Sequence, residues 1–392
     1  MAADKPDFDA IDATFDTIDW DTKDVSAGTA TRRDMVEIAA FVALLGALVY
    51  DYAILRNEGP LVLNWDVLSV EWMFIATLML LFFHVVIPLQ QRPRMRKFYW
   101  RRFKKNKVAV ASLVYLIAIF TVGVFGPALM SPPEVHFVNR LKPPLFVTAE
   151  VNGQMMAGTM AHPLGTSQEG RDVLKLIVYG MRVSMQVGLI SMAFAIILGS
   201  TVGTLAAFAT SIDAGMVDEV LMRYVDLQSV FPVFMLLLLL TYLFGSQLWM
   251  IVALYGFFGW EGIARTVRGE ALQRAEEEYV MAAQSAGANT AYVLRRHLIP
   301  NSANSIITLA TILIPSFILG EASLAFLGFS DPDTFSWGRT IAAGQGYLAE
   351  GWWVSLFPGI FLFFTVLAFN FIGEAAQDAI DPRRSGEKGG GL

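Results

Sequence analysis

The sequence contains no cysteine, which excludes disulfides, thiolate metal sites and cysteine nucleophiles. Charge is scarce too: Asp, Glu, Lys and Arg make up 16% of the residues, where soluble domains carry about 25%. The four histidines (His84, His136, His162 and His297) are far apart, and no pair has zinc-ligand spacing. There is no G-x-x-x-x-G-K-[ST] loop and no Gly-Lys pair, so the chain lacks that route to ATP hydrolysis. The first residues have neither the basic region nor the apolar region of a signal peptide. No converging nucleophile, base or metal set is visible, so no catalytic residue is assigned.

What remains is strongly apolar. Of 392 residues 55% are hydrophobic, mean hydropathy is +0.51, and 29 Phe and 9 Trp suit lipid-facing and interfacial surfaces. About 20 residues of helix cross roughly 30 Å of hydrocarbon. Eight runs approach that length: 35–55, 68–89, 108–130, 184–210, 220–244, 248–263, 303–328 and 353–372. The expected fold is therefore all-α, a polytopic membrane bundle. Pro232 and Pro315 are expected to kink the fifth and seventh runs, and Gly199 and Gly203 to serve close helix packing in the fourth.

Orientation follows from the basic residues. Arg92, Arg94, Arg96, Lys97, Arg101, Arg102, Lys104, Lys105 and Lys107 put nine positive charges between the second and third runs. By the positive-inside rule that loop is cytoplasmic; a cluster pinned between two spans is a topology determinant, not a nucleic-acid patch. Counting from it, 131–182 and 329–352 are external, 266–302 is internal, and both termini are cytoplasmic. The expected divisions are an acidic disordered tail (1–33), an added transmembrane hairpin (34–90), a basic loop (91–107), a first core span with its external loop (108–181), the main transmembrane domain (182–378) and a cytoplasmic tail (379–392). The tail is acidic through Asp4, Asp7, Asp9, Asp12, Asp16, Asp19, Asp21 and Asp24, and reads as solvated chain.

The internal segment 266–302 is unusual for a connector. Residues 271–284 contain no Gly or Pro and are rich in Ala, Glu, Gln and Arg, predicting a helix. Gly287 breaks it, a second helix is predicted over 290–298, and Pro300 ends that one. A rigid helical hairpin projecting from two spans is suited to receiving a force from another protein.

Several stretches carry a resemblance. Glu278-Tyr279-Val280-Met281-Ala282-Ala283-Gln284-Ser285-Ala286-Gly287, followed by His297-Leu298-Ile299-Pro300-Asn301, resembles the EAA loop of binding-protein-dependent ABC permeases. His162-Pro163-Leu164-Gly165-Thr166, Tyr179-Gly180, Glu321-Ala322-Ser323-Leu324-Ala325-Phe326-Leu327-Gly328 and Ser336-Trp337-Gly338 resemble the dipeptide, oligopeptide and nickel permeases. Tyr99-Trp100-Arg101-Arg102-Phe103 resembles the start of their second, C-type subunit. The likeness runs over about residues 98–384.

This resemblance implies a type I ABC importer permease core of six spans, preceded by the extra N-terminal hairpin. It implies a multi-pass plasma-membrane subunit that forms the path for peptides or a related small solute and works by alternating access. It implies ATPase coupling through Glu278, Met281, Ala282, Ala283, Gly287 and Pro300. Met281 stands where the family usually has Glu, which removes one ion pair with an ATPase, worth about 0–1 kcal/mol. The implied partners are cytoplasmic ABC ATPase subunits that bind ATP and Mg, a homologous permease, an extracytoplasmic solute-binding protein and membrane lipid; no nucleic acid and no cofactor of this chain's own are implied. From the residues alone, Glu321 in the seventh run either lines the translocation path or is structural. Arg223 and Asp226 are expected to pair with each other along their helix. The alternative is an ion-gradient-driven secondary transporter, which would favour internal repeats and ionisable groups near mid-membrane.

Overall fold

A computed structural model describes residues 32–55, 69–91, 93–151, 153–211, 214–275, 277–288, 290–293 and 303–380. The acidic tail up to residue 31, residues 294–302 with Pro300, and the C-terminal tail from residue 381 lie outside them. The chain divides into two units, residues 1–66 and 67–392. The first contributes helix α1 (Arg32–Tyr50), continued by a π-helical turn, Asp51–Leu55. The two arms of the expected N-terminal hairpin therefore fall in different units.

Among its described residues the second unit is helical apart from turns, loops and one β-hairpin. It opens with α2 (Ser69–Leu81), which runs through a π-helical turn (Phe82–Val86) into α3 (Ile87–Gln91). The basic loop is itself a helix, α4 (Pro93–Phe103), and Asn106 caps α5 (Lys107–Leu129) by accepting from the Ala109 N–H at 3.1 Å. Two short antiparallel strands, β1 (Thr148–Val151) and β2 (Gln154–Ala157), lie in the segment expected to be external loop. The core follows as α6 (Val173–Ser211), α7 (Gly215–Ser229), α8 (Val233–Phe244), α9 (Leu248–Phe257), α10 (Glu261–Ala275), α11 (Glu278–Ser285), α12 (Thr290–Val293) and α13 (Ala303–Phe326). Three helices close the chain: α14 (Trp337–Gln345), α15 (Leu348–Gly351) and α16 (Trp353–Ile380).

Among the described residues six helices are long and apolar enough to cross a membrane, and they correspond to six of the eight predicted runs. The fifth run is broken: α7 and α8 meet at 75°, because Pro232 at the junction lacks the N–H that a continuous helix needs. The sixth run is also interrupted. α9 ends at Phe257, and α10 starts at Glu261 after a break containing Gly259. Pro315, in contrast, sits inside an unbroken α13.

Helix α6 organises the core. Its 39 residues extend about 58 Å, well beyond the hydrocarbon thickness, so one rigid rod connects the two aqueous faces. Asp172 fixes its N-terminal end: one carboxylate oxygen accepts from the Leu174 N–H at 2.8 Å, and the other lies 2.8 Å from His162 Nδ1. Along its length α6 packs tightly on α10. A Cβ on Gly199 would lie 2.7 Å from the Trp260 carbonyl oxygen, and one on Gly203 would strike that of Ala264. The paired small residues are thus packing surfaces, as their spacing predicts.

Helix α2 is bound to α6 by an ion pair. Glu71 and the Arg182 guanidinium approach to 2.5 Å, and Glu71 is buried. Val70 and Phe74 join the same apolar cluster as Val183 and Val187. Removing one member of a buried pair leaves an uncompensated charge, which costs several kcal/mol in full burial and about 2 kcal/mol here, where Arg182 is partly exposed. Glu71→Ala should therefore lower the melting temperature of the detergent-purified chain by several degrees, as read by differential scanning fluorimetry. An unchanged melting temperature would remove the pair from the account.

Candidate coupling site

Helix α11 carries most of the residues that the sequence marks for coupling. It is short and polar, and isolated helices of this length are unstable in water, so tertiary contacts must hold it. They come from Val280, fully buried in a cluster with Ala207 and Phe208 of α6, Ala271 of α10 and Val293 of α12. Burying one Val side chain stabilises by about 1.5–3 kcal/mol. The predicted helix over 271–284 is in fact two helices, α10 and α11, and the change of direction between them brings Val280 back onto the end of α6.

Seating Val280 turns other residues outward. Glu278, Tyr279, Met281 and Ala282 are exposed, and Ala283 is partly so. Gly287 then stops the helix. Its φ of +85° is left-handed, the Ala288 N–H donates to the Ala283 carbonyl and the Ala286 N–H to the Ala282 carbonyl, both at 3.0 Å. This is a glycine C-cap, and no atom lies within 4 Å of where a Gly287 Cβ would stand. Glycine is needed there by backbone conformation and not by crowding within this chain.

Two polar clasps hold the base of the hairpin. Arg268 of α10 donates twice to Asp218 of α7, at 2.6 and 2.5 Å, a bidentate geometry that fixes both position and orientation. The Ser305 hydroxyl of α13 donates to Glu270 of α10. The hairpin base is thereby tied to the helices before and after it. The expected pairing of Arg223 with Asp226 does not occur. Arg223 instead meets Glu219 one turn earlier at 3.4 Å, while Asp226 takes Arg265 of α10 at 3.1 Å. A partner on a neighbouring helix captured Asp226, and pattern along one helix cannot reveal such a partner.

Glu321 lies apart from this region. It is only 2% exposed, on α13, beside the Ser336 hydroxyl at the start of α14. Around it the scattered family-like motifs converge. Trp337 is fully buried and donates from its indole N–H to the Ile177 carbonyl of α6 at 3.0 Å. A Cβ on Gly180 would strike the Trp337 ring, and one on Gly338 would strike the Ala322 carbonyl. Trp353 likewise donates to the Thr166 carbonyl at 3.0 Å. The motifs at 162–166, 179–180, 321–328 and 336–338 thus build one close-packed layer near the N-terminal end of α6. Among the described residues no group of three or more acidic or histidine side chains could hold a metal ion.

Sequence reasoning missed Val280, the Asp218–Arg268 clasp, the Glu270–Ser305 bond and the Glu71–Arg182 pair. For Val280 a signal existed: it is the one β-branched residue in α11.

These features define a polytopic membrane protein whose helix pairs are joined by a seated, outward-presenting hairpin, the build of a transport permease. Residues 195–386 match the family described as binding-protein-dependent transport system inner membrane component, and residues 95–144 match the N-terminal TM domain of oligopeptide transport permease C. The chain is 35% identical to the dipeptide transport system permease protein DppC of Bacillus subtilis over 286 residues, covering 72% of this chain and 84% of that one. It is 33% identical to the oligopeptide transport system permease protein OppC of Escherichia coli K12 over 288 residues, covering 72% and 89%. Among solved structures, an inward-facing form of the MetNI methionine ABC transporter aligns with a TM-score of 0.45 and 19% identity, covering 53% of this chain and 97% of that one. The chain belongs to the binding-protein-dependent transport system inner membrane component family. It is an ABC importer permease, a transport component and not an enzyme.

The seating of α11 is open to direct measurement. Val280→Ala removes about 2 kcal/mol of burial, so amide hydrogen exchange in α11 should speed up by roughly tenfold or more while α6 stays protected. Exchange in α11 equal to that of the parent chain would show that Val280 does not hold it.

Proposed function

We propose that the chain forms part of the membrane path for peptides or related small solutes, and that separate ATPase subunits drive it through α11. The carrying observation is mechanical. A helix that presents Met281 and Ala282 outward is seated by Val280 on the inner end of a rod running to the outer face. A push on α11 reaches α6 through packed side chains, α7 through Asp218–Arg268 and α13 through Glu270–Ser305. Packed cores switch between discrete arrangements instead of deforming continuously, so the displacement passes to the outer layer around Trp337.

The names of the relatives support a peptide substrate, and the family's dependence on a binding protein disfavours an ion-gradient drive. In this reading ATP and Mg bind to the partner ATPase, and a homologous permease supplies the other half of the path. A solute-binding protein docks on the external side. The basic loop sets both termini in the cytoplasm. Ala282, Ala283 and Gly287, unobstructed in this chain, accept the ATPase surface closely. Pro300 is part of the same coupling segment. Glu321 acts as a structural tie between α13 and α14.

Gly287 gives the sharpest test, because its surroundings are empty and its φ is positive. Gly287→Glu adds strain, bulk and charge at the docking face. It should lower ATP-dependent peptide uptake in reconstituted vesicles by at least about tenfold, the equivalent of roughly 1.4 kcal/mol. Gly287→Asn, which tolerates a left-handed backbone, should keep most of the activity. Both variants should insert normally. Full uptake by the Glu variant would contradict coupling through this hairpin.

A further inference from the structure

One surface is not used by the transport reading. Helix α4 lies between two membrane-spanning helices, so its 11 residues sit where the bilayer meets water. Arg94, Arg96, Lys97, Arg101, Lys104 and Lys105 are all exposed. None of these six forms an ion pair among the described residues. The sequence offers little local neutralisation, since no Asp or Glu occurs between positions 72 and 133. Helix α4 packs against α3, which carries no charge, and against the end of α16, where Glu374 and Asp378 lie; two carboxylates cannot balance six cations.

Aromatic side chains are interleaved with these charges. Phe98 and Trp100 are 49% and 43% exposed, against the usual burial of such rings. Lys104 reaches over the Trp100 ring at 5.1 Å, and Trp100 stacks on Phe103. Aromatic rings sit well at headgroup depth, where one end is apolar and the other wet, and clustered cations beside a span attract anionic lipid. The helix is also fixed in place, because the Arg102 guanidinium donates to the Ala379 carbonyl of α16 at 3.2 Å.

We propose that α4 is a binding surface for anionic phospholipid headgroups, with Phe98 and Trp100 inserted among the acyl chains and the six cations on the phosphates. This rests on the multi-pass character of the chain and not on its coupling mechanism or its solute. A failed uptake assay would leave it intact, and its own failure would leave the transport reading intact.

The test uses the full-length chain in uncharged detergent, with phosphatidylglycerol or phosphatidylcholine of equal chain length added and retained lipid counted by native mass spectrometry. Phosphatidylglycerol should be retained about tenfold over phosphatidylcholine, and the preference should collapse near 1 M salt, where charges are screened within about 3 Å. The fourfold variant R94Q/R96Q/K97Q/R101Q should lose the preference. A second variant, Phe98→Ser with Trp100→Ser, keeps every charge and should reduce retention of both lipids. Equal retention of the two lipids by the parent chain would overturn the proposal. So would an undiminished preference in the fourfold variant, or displacement of phosphatidylglycerol by millimolar inorganic phosphate, which would mark a site for free anions.

Discussion

Val280 carries an unusual responsibility for so small a side chain. The helix around it is too short to exist unaided, and Glu278, Tyr279, Met281 and Ala282 on it are exposed. One buried apolar contact with Ala207, Phe208, Ala271 and Val293 converts it from a loose connector into an extension of α6. That contact is also what makes outward presentation of Met281 and Ala282 consistent from molecule to molecule. A helix that merely hung from α10 could dock on a partner, but it could not transmit displacement.

Under the proposed coupling, the other features distribute a displacement of α11. Gly199 and Gly203 bring α6 and α10 into backbone contact, so the two helices form one packed body. Arg268–Asp218 and Glu270–Ser305 extend the body to α7 and α13. The layer near the N-terminal end of α6 is built on the same plan of tryptophan against glycine: Trp337 against Gly180, with Gly338 against the α13 backbone. Between the two ends α7 and α8 meet at a sharp angle, set by Pro232, which gives the bundle one bent element among straight ones. In an alternating-access cycle the straight helices suit rigid-body motion and the bent pair suits the moving seam. The Glu71–Arg182 pair adds α2 to the N-terminal half of α6, so the extra N-terminal span rides on the same rod.

Much of this was readable from composition and pattern. Run length alone located six membrane helices, because about 20 apolar residues have few other uses, and the small-residue spacing of Gly199 and Gly203 named a true packing face. The helix end at Gly287 was legible in the sequence, and the left-handed φ at that glycine is its physical reason. Periodicity reads one helix at a time, so it failed wherever the partner came from elsewhere in the chain. Asp226 was assigned to its own helix and belongs to Arg265. Asp218, Glu270 and Glu71 carry no signal in their own helices, and each finds its partner on another helix. The break of the sixth run into α9 and α10 escaped for a related reason: hydropathy averages over a window and does not register a three-residue interruption.

The absence of cysteine makes the central claim accessible to one experiment. A single Met281→Cys, placed on the exposed face of α11 in the assembled transporter, can be probed with a membrane-impermeant maleimide in intact cells and in inverted vesicles. The account predicts no labelling in intact cells. In inverted vesicles it predicts labelling that ATPase subunits suppress when they are bound and restore when they are stripped away. Labelling of intact cells, or labelling in vesicles indifferent to those subunits, would contradict a force-receiving helix on the cytoplasmic face.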